Sequence, residues 1–385
     1  MLHYPGTIHS KLPRVGTTIF TVMSRLAAEH DAINLSQGFP DFDCTAELRA
    51  LVTKYLGAGL NQYPPMAGIP ALREAIAEKV EALYGAAYDP EEEVTVTPGA
   101  TYGIFTAIAA MVRPGDEVVL FEPAYDSYAP SVEVNGGKPV YVQLTYPDYA
   151  IDWQAVQDAI TPRTRMIIVN TPNNPTASVF SAEDLRMLEG MLAGTDIVVV
   201  SDEVYEHIVF DGHAHQSVAR FPRLAERSFI VSSFGKTYHV TGWKMGYVLA
   251  PRELMAEFRK VHQFNVFVAN GPIQYALAEY MKNKDAYLGL ADFYQAKRDF
   301  FLRGIEGSRW KPLRSRGTFF QNLSYDAISE ERDTDLAVRL TREHRIASIP
   351  VSVFYREPPQ HKVLRFCFAK SEATLAKGAE ILSRI

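Results

Sequence analysis

Cys44 and Cys367 are the only two cysteines in this 385-residue chain. They lie far apart and in no metal or redox spacing, which excludes a disulfide framework and suits a reducing cytosol. A basic surplus is also missing. Lys and Arg number 39 against 45 Asp and Glu, a net charge of −6, so the chain carries no electrostatic footprint for nucleic acid. Apolar runs such as Ile197-Val198-Val199-Val200 are strand-length and cannot span a bilayer. The N-terminal Met1-Leu2-His3-Tyr4-Pro5-Gly6 lacks the apolar stretch of a secretory signal. No repeat, low-complexity tract or long linker interrupts the chain. These absences predict a soluble cytoplasmic protein with neither nucleic acid nor membrane as a partner.

What is present is a large apolar fraction, 47%, enough for two domains or for one large and one small. Short β-branched runs recur at Val94–Thr97, Glu117–Phe121, Met166–Val169, Ile197–Val200, Phe229–Val231 and Tyr247–Leu249. Helical patterns lie between several of them, at Ala100–Val112 and Ser181–Ala193, the latter opened by Ser181 and Asp184. Such alternation predicts an α/β fold with a mostly parallel sheet covered by helices on both faces. From about Asp285 onward long charged helices and a few short strands take over. The expected division is a large domain over 46–284 and a smaller α+β domain from 285–385, completed by the N-terminal arm 1–45.

Ligands of open α/β sheets bind beyond the carboxyl ends of the strands, so the residues after each strand carry the functional information. Val94–Thr97 is followed by Pro98-Gly99-Ala100-Thr101 and a helix, a turn whose free amides suit a phosphate. An ordinary strand-to-helix turn would read the same way. Tyr125 follows the second strand and could stack on a flat ring or simply pack. The third ends in the rigid amide loop Asn170-Thr171-Pro172-Asn173-Asn174-Pro175-Thr176, which alone is a turn signal. Asp202 closes the fourth, with Tyr205 three residues on; an acid there could meet a ring nitrogen or cap a helix. Last comes Ser232-Ser233-Phe234-Gly235-Lys236-Thr237-Tyr238, then Thr241-Gly242-Trp243-Lys244. Lys236 is placed as a covalent anchor for an aldehyde cofactor, with Lys244 as a cation for that cofactor's phosphate; two solvated lysines in a surface loop are the plain alternative. His213-Ala214-His215 reads as a solvated loop, since it lacks partner ligands for a metal.

Taken together and in chain order, these features resemble a fold-type I pyridoxal-phosphate aminotransferase, from the N-terminal arm to the last helix. Asn34–Phe42, Asn61-Gln62-Tyr63, Ser232–His239, Ile349–Phe354 and Arg365-Phe366-Cys367-Phe368-Ala369-Lys370 are similar to bacterial methionine aminotransferases, relatives of the kynurenine/glutamine transaminases. The resemblance implies pyridoxal 5′-phosphate as cofactor, an aspartate-aminotransferase-like fold, and amino acid and 2-oxo acid substrates handled by a homodimer with shared sites. It implies that Lys236 anchors the aldehyde and shuttles a proton, that Asp202 pairs with the ring nitrogen, and that Asn174 and Tyr205 bond the ring oxygen. Tyr125 would stack on the ring. Ala100, Thr101, Ser233 and Lys244 would hold the phosphate, with Tyr63 reaching it from the other subunit. Arg365 would bind the substrate α-carboxylate with Gly38 and Asn174, and Phe20 would line the side-chain pocket.

Two departures stand out: Ala177 where many aminotransferases carry glycine, and Lys244 where many carry arginine. Neither moves the chain out of the class. Two rival readings remain. One is a kynurenine/glutamine transaminase with a β-lyase side activity on cysteine conjugates. The other is a non-enzymatic sensor, which would need a DNA-binding segment ahead of residue 34, and no such pattern is present.

Overall fold

A seven-stranded sheet organises the computed structural model, which describes residues 2–385. The first strand of the chain, β1 (Ile33–Asn34), stands outside that sheet. The sheet is built from β2 (Val94–Thr97), β3 (Glu117–Glu122), β4 (Lys138–Gln143), β5 (Thr164–Asn170), β6 (Val198–Asp202), β7 (Ser228–Ser233) and β8 (Gly246–Leu249), in the order β2-β8-β7-β6-β5-β3-β4. Pairings are parallel except around β8, which runs antiparallel to both β2 and β7.

Strands β3 and β6 are buried along their whole length, as near-continuous β-branched runs require when both faces are covered. Alternate residues serve opposite cores. Val118 and Leu120 pack with Ile104, Ile108 and Phe258 on one face; Val119 and Phe121 pack with Leu185 and Leu188 on the other. The helix Ala182–Leu192 starts at the capping box read from the sequence: Ser181 Oγ accepts from Asp184 N (3.1 Å), and Asp184 Oδ2 accepts from Ser181 N (2.8 Å). Strand β4 was not foreseen. Its Lys138, Pro139 and Gln143 break the β-branched pattern, a composition tolerated because β4 lies at the sheet edge.

A second sheet comes from the C-terminal part. It contains β9 (Lys311–Pro312), β10 (Phe320–Ser324), β12 (Ile349–Pro350) and β13 (Val363–Cys367) in the order β12-β13-β10-β9, all antiparallel. Strand β11 (Ile346–Ala347) pairs in parallel with β1, tying the N-terminal segment to this part of the chain. Among the described residues no helix is long and apolar enough to cross a membrane.

Candidate active site

The carboxyl ends of β5, β6 and β7 and the start of the helix Ala100–Met111 converge on one cavity of about 150 Å³. Ala100, Thr101, Tyr125, Asn174, Asp202, Tyr205, Ser233, Lys236 and Lys244 all line it. Residues separated by more than a hundred positions thus meet because the sheet ends there.

One end of the cavity is built for an anion. The helix Ala100–Met111 opens at Gly99, whose φ of +85° places it in the region that favours glycine. Gly99 has no side chain to cap the helix, and the amides of Ala100 and Thr101 find no acceptor among the described residues. A Cβ on Gly99 would sit 3.4 Å from Lys244 Nζ, so the ammonium lies directly over the turn. Gly246 lets β8 pass flush beneath: a methyl there would stand 2.6 Å from Ser232 O and 3.0 Å from Ala100 N. Free amides at the positive end of a helix, a hydroxyl from Ser233 and a lysine form a cradle for a phosphate dianion.

Asp202 faces the cavity from the last position of β6 and is only 4% exposed. Tyr128 Oη donates to its Oδ2 at 2.5 Å and the Val204 amide to Oδ1 at 3.3 Å. No cation forms an ion pair with it among the described residues. Burial pushes the carboxyl up to about 6, against the downward pull of the Tyr128 bond. A carboxylate so placed is stabilised by a protonated ring nitrogen. Asn170 braces this corner, donating to Asp202 O (2.9 Å) and accepting from the Asn174 amide (2.8 Å). Tyr205 is buried against Phe319, ring centroids 5.0 Å apart, and its hydroxyl has no partner among the described residues.

Lys236 sits on a single helical turn, Phe234–Thr237, directly after β7. Its Nζ donates to Gly38 O at 2.9 Å and lies 5.5 Å from the Tyr205 ring and 5.2 Å from Phe319. Burial draws the ammonium down to about 8, so a substantial fraction is neutral amine near physiological pH.

Arg365 occupies the middle of β13, opposite Asn322 and Ile349, and is 1% exposed. One guanidinium nitrogen donates to Asn174 Oδ1 (2.5 Å) and another to Ser36 O (3.3 Å), while Nε is unpartnered. Phe320 stacks on the group at 3.9 Å, with Phe354 and Phe20 at 5.3 and 5.4 Å. Burial lowers its pKa to about 10, still leaving it a cation. No carboxylate pairs with it among the described residues. The fork is therefore free to take a carboxylate from outside the chain.

Tyr63 stands outside the cavity of its own chain; it is 82% exposed, with its ring edge-on to Phe267 at 5.4 Å. Tyr102 does not line the cavity, its hydroxyl bonding His262 Nδ1 at 3.0 Å. His215, read as part of a solvated loop, is 8% exposed, and its Nε2 contacts Glu203 Oε2 at 2.8 Å; the short-range pattern carried no trace of that partner. Ala177, the alanine in place of glycine, has φ +61°, so the loop keeps a glycine-like conformation. Residues that sequence reasoning missed include Tyr128, Asn170, Phe320 and Phe354. Asn170 lies in the amide loop quoted from the sequence and Tyr128 three residues after Tyr125, whereas Phe320 and Phe354 come from the C-terminal part of the chain, Phe354 as the end of the quoted stretch Ile349–Phe354.

Asp202 generates a prediction for the cofactor-free protein. Its folded pKa is raised above the ordinary 3.8 to about 6. The stability it contributes is therefore complete below pH 4 and is lost as pH rises through 6. Asp202→Asn, which keeps one of two acceptors, should make the cofactor-free protein more stable by about 1–2 kcal/mol at pH 8. That advantage should vanish below about pH 4. Denaturant titrations of both proteins across pH check this; a less stable mutant at pH 8 would count against an uncompensated carboxylate.

Comparisons with known proteins agree with this geometry. The family model for aminotransferase class I and II matches residues 30–382. The chain is 48% identical to the methionine aminotransferase of Escherichia coli K12, over 100% of both chains. It is 34% identical to human kynurenine–oxoglutarate transaminase 1, over 94% of each. The solved structure of Escherichia coli YbdL, described as having a methionine aminotransferase function, superposes with a TM-score of 0.97 at 49% identity, covering 99% of this chain and 100% of that one. The anion cradle, the lone buried carboxylate and the desolvated lysine fit pyridoxal phosphate, the cofactor of this family. The chain belongs to the class I and II aminotransferases, pyridoxal-phosphate enzymes of the aspartate-aminotransferase-like fold.

Proposed function

We propose that this aminotransferase takes its amino group from methionine and from other large apolar or aromatic amino acids, and delivers it to a 2-oxo acid. The observation that carries the reading is Arg365, buried beside the cavity with three aromatic rings around it and no carboxylate of its own. Every amino acid and 2-oxo acid shares the α-carboxylate that such a fork recognises. Phe20 and Phe354, 6.0 Å apart, offer an apolar surface for the side chain. The cavity wall contains no arginine among the described residues, so a side-chain carboxylate would meet no second fork there. The relatives named for methionine favour that donor within the apolar class.

The roles follow from placement. Ala100, Thr101, Ser233 and Lys244 would hold the phosphate, Asp202 the ring nitrogen, and Asn174 and Tyr205 the ring oxygen, with Tyr125 against the ring. Pyridoxal phosphate, when bound, supplies the aldehyde that takes up the amino group and a ring that accepts electron density from Cα. Lys236 is assigned the proton transfers: its Nζ, as a neutral amine, would take the donor's Cα proton and hold it for return. A pKa near 8 suits that duty, because the amine is neither permanently protonated nor strongly acidic. Arg365, Asn174 and Gly38 orient the substrate so that Cα meets Lys236. Donor and acceptor use one site in turn, which gives ping-pong kinetics.

The unit we infer is a homodimer in the cytoplasm. Tyr63 lies on the surface, outside its own cavity, as a residue serving a partner's phosphate would. The division into a cofactor-binding part, 46–284, and a part made of 1–45 and 285–385 belongs to the same reading, supported by the pairing of β1 with β11.

Three outcomes are expected. Arg365→Lys replaces a planar fork with a point charge and should lower kcat/KM for every amino acid and oxo acid alike, by about 10- to 150-fold, the equivalent of losing a 1.5–3 kcal/mol bidentate contact. A mutant that discriminates between side chains while keeping carboxylate affinity would contradict the assignment.

Mixing Tyr63→Phe with Lys236→Ala subunits should yield heterodimers with one doubly damaged site and one intact site. Activity in the mixture without an intact-site class would mean that Tyr63 works in its own subunit or not at all.

Donor profiling tests the pocket. Methionine should lead by a modest margin, since sulfur–aromatic contacts contribute only about 0.3–1.5 kcal/mol. Aspartate exceeding methionine tenfold in kcat/KM would refute an apolar pocket. Kynurenine or glutamine in the lead would change the donor but not the mechanism.

A further inference from the structure

Four consecutive carbonyls, from Ser36 to Phe39, are each held by a cationic side chain. Arg365 donates to Ser36 O at 3.3 Å and Lys236 to Gly38 O at 2.9 Å. Lys370 Nζ takes the two carbonyls that flank Gly38, Gln37 O at 3.5 Å and Phe39 O at 2.7 Å. Arg365 and Lys236 belong to the chemistry already described; Lys370 does not. It lies between β13 and the C-terminal helix Glu372–Leu382, is 3% exposed, and pairs with no carboxylate among the described residues. Its ammonium is covered by the Phe39 ring at 5.1 Å. A buried cation that spends its hydrogen bonds on backbone carbonyls, with no counter-charge, is costly to keep. The cost is explained if the loop it holds matters.

The loop matters because it meets the side of the site formed by Phe320, Arg365 and Phe20. A Cβ on Gly38 would lie 2.8 Å from Phe320 Cζ, so the loop is pressed against the ring that stacks on Arg365. Gln37 Nε2 donates to Phe20 O at 2.9 Å, which couples the loop to the side-chain pocket. During turnover two of the three cations change duty. Lys236 cannot stay on Gly38 O while it moves a proton, and Arg365 turns its donors toward a substrate carboxylate. Of the three cations, only Lys370 can stay on the loop's carbonyls throughout.

We infer that Lys370 is a positioning residue, which fixes the Ser36–Asp41 loop from behind so that Gly38, Phe20 and Arg365 keep their places when Lys236 lets go. The inference rests on the aminotransferase roles proposed above.

Lys370→Met removes the donors while keeping most of the length of the side chain, and is tested in the holoenzyme. KM for methionine, for a second apolar donor and for the oxo acid should each rise tenfold or more, with kcat within threefold of the parent. The dissociation constant of 4-(methylthio)butanoate, a carboxylate without an amino group, should rise by the same factor in calorimetric titration. Lys370→Arg should return both quantities to within threefold of the parent. Unchanged KM and affinity in Lys370→Met would overturn the inference, as would a lower melting temperature with normal KM, the mark of a packing role alone. Should Lys370→Met fail to fold, Lys370→Gln is judged by the same two quantities with a threefold threshold. Failure of the parent holoenzyme to move an amino group from any donor would instead reject the underlying reading.

Discussion

Uncompensated charge is the constraint on which this structure depends. Elsewhere in the protein most buried charges are answered in place: Lys79 Nζ meets Glu206 Oε1 at 2.7 Å, Arg298 meets Asp211 at 2.7 Å, and Glu117 meets Arg163 at 2.9 Å. Asp202, Lys236 and Arg365 are the counter-examples at the cavity, a desolvated anion and two desolvated cations with no ion-pair partner among the described residues. Taking an ion out of water costs several kcal/mol when nothing replaces the solvent. Burial shows directly in the three groups, with the acid shifted up and both bases down. In the reading proposed above, the missing partners come from outside the chain: a ring nitrogen for Asp202, an aldehyde for Lys236 and a carboxylate for Arg365. The free energy withheld from folding is thereby available to binding.

Holding three such groups in place requires a rigid and satisfied surround. The turn Asp202–His207 shows how that is arranged. Asp202 and Tyr205 face the cavity, while Glu203 and Glu206 of the same turn point into the protein. Glu203 accepts from Ser201 Oγ and the Val218 amide. Glu206 accepts from Lys79, Tyr84, Ser232 and Tyr247. Burial alone would push the Glu206 carboxyl up, yet Lys79 and the hydroxyls hold it well below the usual range. Ser232 and Tyr247 are the strand neighbours of Ser233 and Gly246, so one carboxylate locks together the strands that carry the phosphate cradle. Satisfied polar groups on one side of the turn keep the unsatisfied ones on the other side in register.

What the sequence revealed follows the same division. The strand ends were legible because each places its chemistry within a few residues of a β-branched run: Gly99, Asp202, Ser233 and Lys236 are all read locally. The capping box at Ser181 is local too. Contacts that depend on the second sheet were not legible. Phe320 and Phe354 look like ordinary core aromatics until β13 brings Arg365 between them, and the pairing of Asn322 with Arg365 is set by strand register rather than composition. Tyr128 sits in a helix of seven residues, and nothing in its neighbours announces a bond to an acid 74 residues away. His215 was misread for the same reason, its partner Glu203 being close in space but separated by an irregular loop. Local pattern finds the groups that do chemistry more readily than those that support them.

The two kinds of recognition in the site are also carried by different parts of the chain. Arg365 is held at the centre of an antiparallel sheet, between β10 and β12, where a shift of one residue would turn it to the other face. Such a position is resistant to drift, which suits a contact common to every substrate. Phe20 instead stands in the first turn of the helix Ile19–Glu29, half-buried near the start of the chain and joined to the loop through its carbonyl. A change there would alter the proposed pocket without moving the strand that carries Arg365 or the sheet that places Lys236. Donor preference can therefore vary while the chemistry stays fixed, and relatives named for methionine, kynurenine and other donors on this one fold are what that separation allows.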